Sequence, residues 1–95
     1  LNTAKTKEVR ASLNKKGFVE EDDRDHRYFF LTIENKRSSI RTKLSHGEYE
    51  IDSFLIGKMA KQTGLTNREF EDLIKCPLTK EAYIELLIER GKVVI

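Results

Sequence analysis

Two histidines and a short set of cations are the residues of this 95-residue chain best suited to proton transfer beside a phosphate. His26 opens the run His26-Arg27-Tyr28-Phe29-Phe30-Leu31-Thr32-Ile33, and His46 follows Ser38-Ser39-Ile40-Arg41-Thr42-Lys43-Leu44-Ser45. Metal-free cleavage of RNA needs a base for the ribose 2′-hydroxyl, an acid for the leaving oxygen, and cations for the phosphorane. Imidazole serves either proton-transfer role, and Arg41 and Lys43 serve the charge-stabilising one. Tyr28 and Phe30 offer surfaces on which unpaired bases stack, each worth about 1–3 kcal/mol when used. The same two rings suit coverage by a partner or by C-terminal helices. Asp22, Asp23 and Asp25 cluster, but the Gly and distal Glu of a calcium loop are missing and no His-x-x-x-His pattern exists. No metal or other cofactor is therefore expected.

Those residues are positioned by a hairpin. A connection of two or of four residues within Glu34-Asn35-Lys36-Arg37 pairs Ile33 with Ser38, Phe30 with Arg41, Tyr28 with Lys43 and His26 with Ser45. Phe29, Leu31, Ile33, Ile40, Thr42 and Leu44 then share one face, as a sheet packed on helices requires. His26, Tyr28, Phe30, Ser39, Arg41, Lys43 and Ser45 share the other. A connection of odd length would bury Arg41 and Lys43 beside Phe29 and Leu31 without partners. Even parity makes the open face aromatic and basic, with both histidines at one corner.

The charge is unevenly distributed. Residues 1 to 45 carry eleven Lys or Arg against seven Asp or Glu, and residues 46 to 95 carry seven against nine, so the halves are +4 and −2. Positive charge concentrated with the hairpin and the first helix suits a polyanion, and Lys15 and Lys16 join Arg41 and Lys43 as candidate RNA contacts. The single cysteine, Cys76, rules out an intramolecular disulfide and fits an intracellular, cytoplasmic protein; beside Pro77 it reads as semi-buried between helices. No apolar run suits a membrane span, and the N-terminus has no signal-peptide core. The chain opens on Leu1 rather than Met, which suggests a portion of something slightly longer.

Length and patterning suit one domain over residues 1–95. Thr3 to Lys16 reads as a helix with Val9 and Leu13 inward, Thr3 or Thr6 as cap and Gly17 as the left-handed stop. Phe18-Val19-Glu20 reads as a short strand, followed by an acidic loop in which Arg24 or Arg27 pairs with the carboxylates. After the hairpin a loop runs to Ile51, and Asp52 caps a helix with Leu55, Ile56, Met59 and Ala60 on one face, ending at Gly64. Thr66 and Glu69 form a capping box for a helix that buries Phe70, Leu73 and Ile74 and stops before Pro77. A last helix from Thr79 to Gly91 is expected to bury Ile84, Leu87 and Ile88. Lys92-Val93-Val94-Ile95 reads as an edge strand or a frayed end.

The resulting order is an α+β fold, α-β-β-β-α with a three-stranded antiparallel sheet and additional C-terminal helices, the layout of double-stranded-RNA-binding domains. Lys15-Lys16-Gly17-Phe18, His26 entering an aromatic strand, His46-Gly47, and IDSFLIGKMAKQTGL over residues 51 to 65 together resemble the HicA family of toxins from toxin-antitoxin pairs. The resemblance covers roughly residues 5 to 75 and divides the chain into a HicA-like core, 1–65, and a helical extension, 66–95. It implies a ribonuclease that cleaves mRNA, with His26 at the catalytic position and a HicB-type antitoxin as partner. The family has Gly-Ser before that histidine where this chain has Arg24-Asp25.

Two other readings stand beside it. A non-catalytic module on the same fold would bind RNA or a protein partner with His26 dispensable. A DNA-binding helix-turn-helix would use Ala60, Gly64 and Phe70, but Glu69, Glu71 and Asp72 on its recognition helix oppose a phosphate groove.

Overall fold

The hairpin forms with even parity. In the computed structural model, which describes residues 3–75 and 77–94, strands β2 (Phe18–Asp22), β3 (His26–Ile33) and β4 (Lys36–Ser45) make an antiparallel sheet in the order β2-β3-β4. From His26 opposite Ser45 to Phe30 opposite Arg41 the register is the expected one. Nearer the tip it changes. Ile33 faces Lys36 rather than Ser38, because Glu34 and Asn35 alone make the turn, at φ 50° and 65°. That left-handed pair has the backbone twist that two-residue hairpins favour.

The two registers are reconciled by an irregularity. Between Phe30 and Thr32 lies one residue, whereas between their partners Arg41 and Arg37 lie three. The Ser38 hydroxyl bridges the gap, donating to the Leu31 carbonyl at 2.8 Å and accepting from the Ile40 N–H at 3.2 Å. A surplus of two residues preserves parity, so Phe29, Leu31, Ile40, Thr42 and Leu44 remain buried together.

Helix α1 (Thr6–Lys15) lies on the buried face of the sheet with Val9 and Leu13 inaccessible to solvent. It starts three residues later than expected. Thr3–Lys5 instead form β1, which pairs antiparallel with β5 (Glu50–Asp52) in a separate two-stranded sheet. Nothing local marks this pairing, since its register joins residues 45 to 49 positions apart. Gly17 (φ +97°) ends the helix as expected, and a Cβ there would meet the Lys80 Cε at 2.8 Å.

Three capped helices complete the layer: α2 (Ser53–Gln62), α3 (Asn67–Ile74) and α4 (Lys80–Glu89). Asp52 accepts from Leu55 N–H at 2.9 Å, the Thr66–Glu69 capping box is complete, and Thr79 accepts from Ala82 N–H at 3.1 Å. Phe70, Leu73, Tyr83 and Leu87 enter the same core as the sheet and α1, so α3 and α4 are integral to it. The buried stripe of α4 differs from expectation. Tyr83 and Leu87 face inward, Ile84 is half-buried, and Ile88 is 44% exposed. A phenol can be buried here because its hydroxyl donates to the Thr63 carbonyl at 2.7 Å, and its ring stacks on Phe18 with centroids 6.0 Å apart. Residues 92–94 form no strand, although Val93 is buried and Lys92 N–H donates to the Leu87 carbonyl at 2.8 Å. The position expected for Cys76 lies outside the described residues.

One ion pair ties α3 to the end of α4. Arg90 donates through Nη1 and Nη2 to the two Glu69 carboxylate oxygens at 2.8 and 2.6 Å, and Thr66 N–H donates to Glu69 at 2.9 Å. The guanidinium first, and the capping N–H second, pull the Glu69 carboxyl down from 4.5 to about 2. A depressed folded-state pKa contributes stability above the unfolded value that is lost as pH falls through the folded one. Glu69→Gln is therefore expected to lower the urea midpoint at pH 7, and the gap from wild type should close between pH 4.5 and 2. A gap that persists at pH 2 would disprove the assignment.

Candidate functional site

The outer face of β3 carries a row of rings whose spacing follows from strand geometry, since alternate residues on one face stand about 6.7 Å apart. His26 and Tyr28 have ring centroids 6.0 Å apart, and Tyr28 and Phe30 6.3 Å. On one side the row is flanked by β4, which sets Ser45 opposite His26, Lys43 opposite Tyr28 and Arg41 opposite Phe30. On the other side β2 sets Glu21 opposite Tyr28 and Val19 opposite Phe30. Of the strand residues paired with these rings, the cations come from β4. The C-terminal helices leave these rings uncovered, because α4 docks through Tyr83 on Phe18, whose partner Leu31 belongs to the buried face. Phe30 does have a local cover: the Arg37 guanidinium lies 3.9 Å from its ring centroid and also pairs with Glu21.

Two depressions open along this row. The larger, of about 580 Å3, is lined by Asp23, Tyr28, Phe30, Arg41, Thr42, Lys43 and Gln62. The smaller, of about 200 Å3, is lined by His26, Lys43, Ser45, Glu48, Leu55, Lys58 and Gln62. Lys43 and Gln62 belong to both, and Gln62 is held in place by the Thr42 hydroxyl, which donates to its Oε1 at 2.7 Å. His26, Tyr28, Phe30, Arg41 and Lys43 are therefore brought together as expected.

Glu48, Lys58 and Gln62 were not anticipated. The loop after β4 supplies Glu48, and α2 supplies Leu55, Lys58 and Gln62 from one helical stripe at i, i+3 and i+7. That stripe is visible in the sequence once α2 is recognised, but only its docking beside β4 reveals what it faces.

His46 has another setting. Its Nε2 lies 2.9 Å from the Asp23 carbonyl, and because a carbonyl only accepts, that nitrogen carries a proton. Its backbone N–H donates to the Asp25 carbonyl at 3.4 Å. The ring thus fastens the 23–25 turn to the end of β4 and is not among the residues lining either depression. The acidic turn is organised internally: Asp23 accepts from Asp25 N–H at 3.0 Å, and Arg27, not Arg24, pairs with Asp22 at 3.0 Å. Among the described residues no group of three or more His, Cys, Asp or Glu side chains could hold a metal ion.

The lysines at the end of α1 also lie elsewhere. Lys15 is exposed and lines a hollow with Thr79, Lys80 and Glu81. Lys16 is only 5% exposed and its ammonium donates to the Leu78 carbonyl, which corrects its reading as an RNA contact. It follows Val9 by seven positions and Leu13 by three, so it falls on the buried stripe of the helix and threads its alkyl stem through it. No described helix is long and apolar enough to cross a membrane. Comparison of the chain with protein-family models, with curated proteins and with solved structures returns no match.

Proposed function

We propose that this chain is a metal-independent endoribonuclease of the HicA toxin type, on a double-stranded-RNA-binding-domain-like fold, acting on mRNA or other single-stranded RNA and restrained by a HicB-type antitoxin. The observation that carries the reading is His26 in one small depression with Lys43 and Lys58, at the end of a ring row flanked by cations. His26 moves a proton at the scissile phosphodiester. Lys43 and Lys58 offset the charge that grows on the phosphorane, and Tyr28 offers a face for a neighbouring base. An antitoxin covering the open face would occlude all of them.

Inducible expression of the wild type and of His26→Ala in a bacterial host tests the proposal. Growth arrest with loss of mRNA only for the wild type supports it. Two harmless proteins with intact RNA would favour a binding module on the same fold. In either case Arg41→Ala and Lys43→Ala are expected to weaken RNA binding, each lowering the salt slope by about 0.7 for a lost single-strand phosphate contact. Their effect on stability should stay within about 0.5 kcal/mol, as for surface positions. Unchanged salt slopes in fluorescence-anisotropy titrations would move the RNA path off this face.

A further inference from the structure

The two-histidine arrangement leaves His26 without its expected partner, because the His46 ring is engaged at the Asp23 carbonyl outside the depression. Resting on the ribonuclease reading, we infer that Glu48 is the second proton-transfer residue of this site, acting as general base toward a ribose 2′-hydroxyl while His26 acts as general acid. Glu48 is the one carboxylate among the residues that line the His26 depression. It is exposed and makes no hydrogen bond or ion pair with another described residue, so its oxygens are free to take a proton.

The charged groups around it suit that role. His26 comes from β3, Lys43 from β4 and Lys58 from α2, so two lysines line the depression together with His26 and Glu48. These cations stabilise the charge of the dianionic phosphorane. His46 stands two positions earlier on the same loop, held by the 23–25 turn. Three other carboxylates are committed elsewhere: Asp52 caps α2, Asp22 pairs with Arg27, and Glu21 pairs with Arg37.

The step balances without a further reactant. Glu48 removes the 2′-hydroxyl proton as the 2′-oxygen bonds to phosphorus, the bond from phosphorus to the 5′-oxygen breaks, and the His26 imidazolium protonates that oxygen. The products are a 2′,3′-cyclic phosphate and a 5′-hydroxyl, with the proton now on Glu48 and His26 neutral. The substrate class follows from the chemistry: a chain bearing a free 2′-hydroxyl at the cleavage point, so RNA and not DNA.

The test uses a fluorophore-labelled single-stranded RNA oligonucleotide of mixed sequence and its all-2′-deoxy counterpart, with purified wild type, Glu48→Gln, Glu48→Asp, His26→Ala and Glu50→Gln. Wild type should cut only the RNA and leave a cyclic phosphate. Glu48→Gln should lose about 100- to 1,000-fold in kcat with KM little changed, and lose the acid limb of the pH–rate profile. Glu48→Asp should recover part of the rate with the limb restored. Glu50→Gln, on β5 and outside the depression, should behave as wild type. Cleavage abolished by His26→Ala but retained with an unchanged pH profile in Glu48→Gln would overturn the role of Glu48 and leave the ribonuclease reading standing. A wild type that cleaves no RNA would overturn both.

Discussion

Purified His26→Ala is expected to cleave single-stranded RNA about 100- to 10,000-fold more slowly than wild type, the range for removing a positioned proton-transfer group. The loss should appear in kcat, because the residues proposed to contact RNA, Arg41, Lys43, Lys58 and the Tyr28 ring, are left in place by the substitution. Stability should hardly change. His26 is half-buried at the first position of β3 and makes no side-chain hydrogen bond with another described residue, so its removal strands no buried polar partner. Far-UV circular dichroism and the urea midpoint should therefore match wild type. His46→Ala should act differently, loosening the 23–25 turn and giving a smaller loss of rate. Cleavage surviving in the His26 variant would remove the central assignment, and an equal loss in the His46 variant would restore the paired-histidine arrangement in place of Glu48.

The largest effect on stability is expected at Tyr83. Its ring is fully buried between α4 and Phe18, and its hydroxyl satisfies the Thr63 carbonyl, one of the acceptors that the end of α2 leaves without an intrahelical partner. Burial pushes the phenol well above its ordinary pKa, which keeps it a donor. Tyr83→Ala removes both the ring and the donor, and large aromatic-to-alanine changes in cores cost about 3–5 kcal/mol. Against a total stability of about 5–15 kcal/mol for a domain, that is a major share. Thermal melts should shift down by about 12 °C or more, at about 4–8 °C per kcal/mol for this size. Tyr83→Phe keeps the ring and strands the carbonyl, so about 1–3 kcal/mol is expected. A Tyr83→Ala variant within 1 kcal/mol of wild type, on the scale of about 0.6 kcal/mol for RT, would show that α4 is not anchored there.

Much of this architecture is local, and local chemistry is legible. Asp52, Thr66 with Glu69, and Thr79 cap the helices they precede, because a short polar side chain ahead of an apolar repeat satisfies amides only a few residues away. The hairpin faces were equally readable, since burying Arg41 and Lys43 would be costly and parity survives the extra residues that Ser38 absorbs. Lys16 was within reach of the same reasoning. Its place seven positions after Val9 marks the buried stripe, and charge alone pointed the wrong way.

The composition of the candidate site was a different matter. The sequence by itself determined the sheet, its open face, and the alignment of His26, Tyr28 and Phe30 beside Arg41 and Lys43, because residue parity and burial cost act over a few positions. Only the tertiary structure decided that Glu48, Lys58 and Gln62 line one depression with His26, that His46 turns to the Asp23 carbonyl, that β1 pairs with β5, and that Tyr83 rather than Ile88 enters the core. Those outcomes depend on where α2 and α4 dock. Docking is a sum of many weak packing contacts between segments far apart in the chain, and no single residue type or spacing announces it.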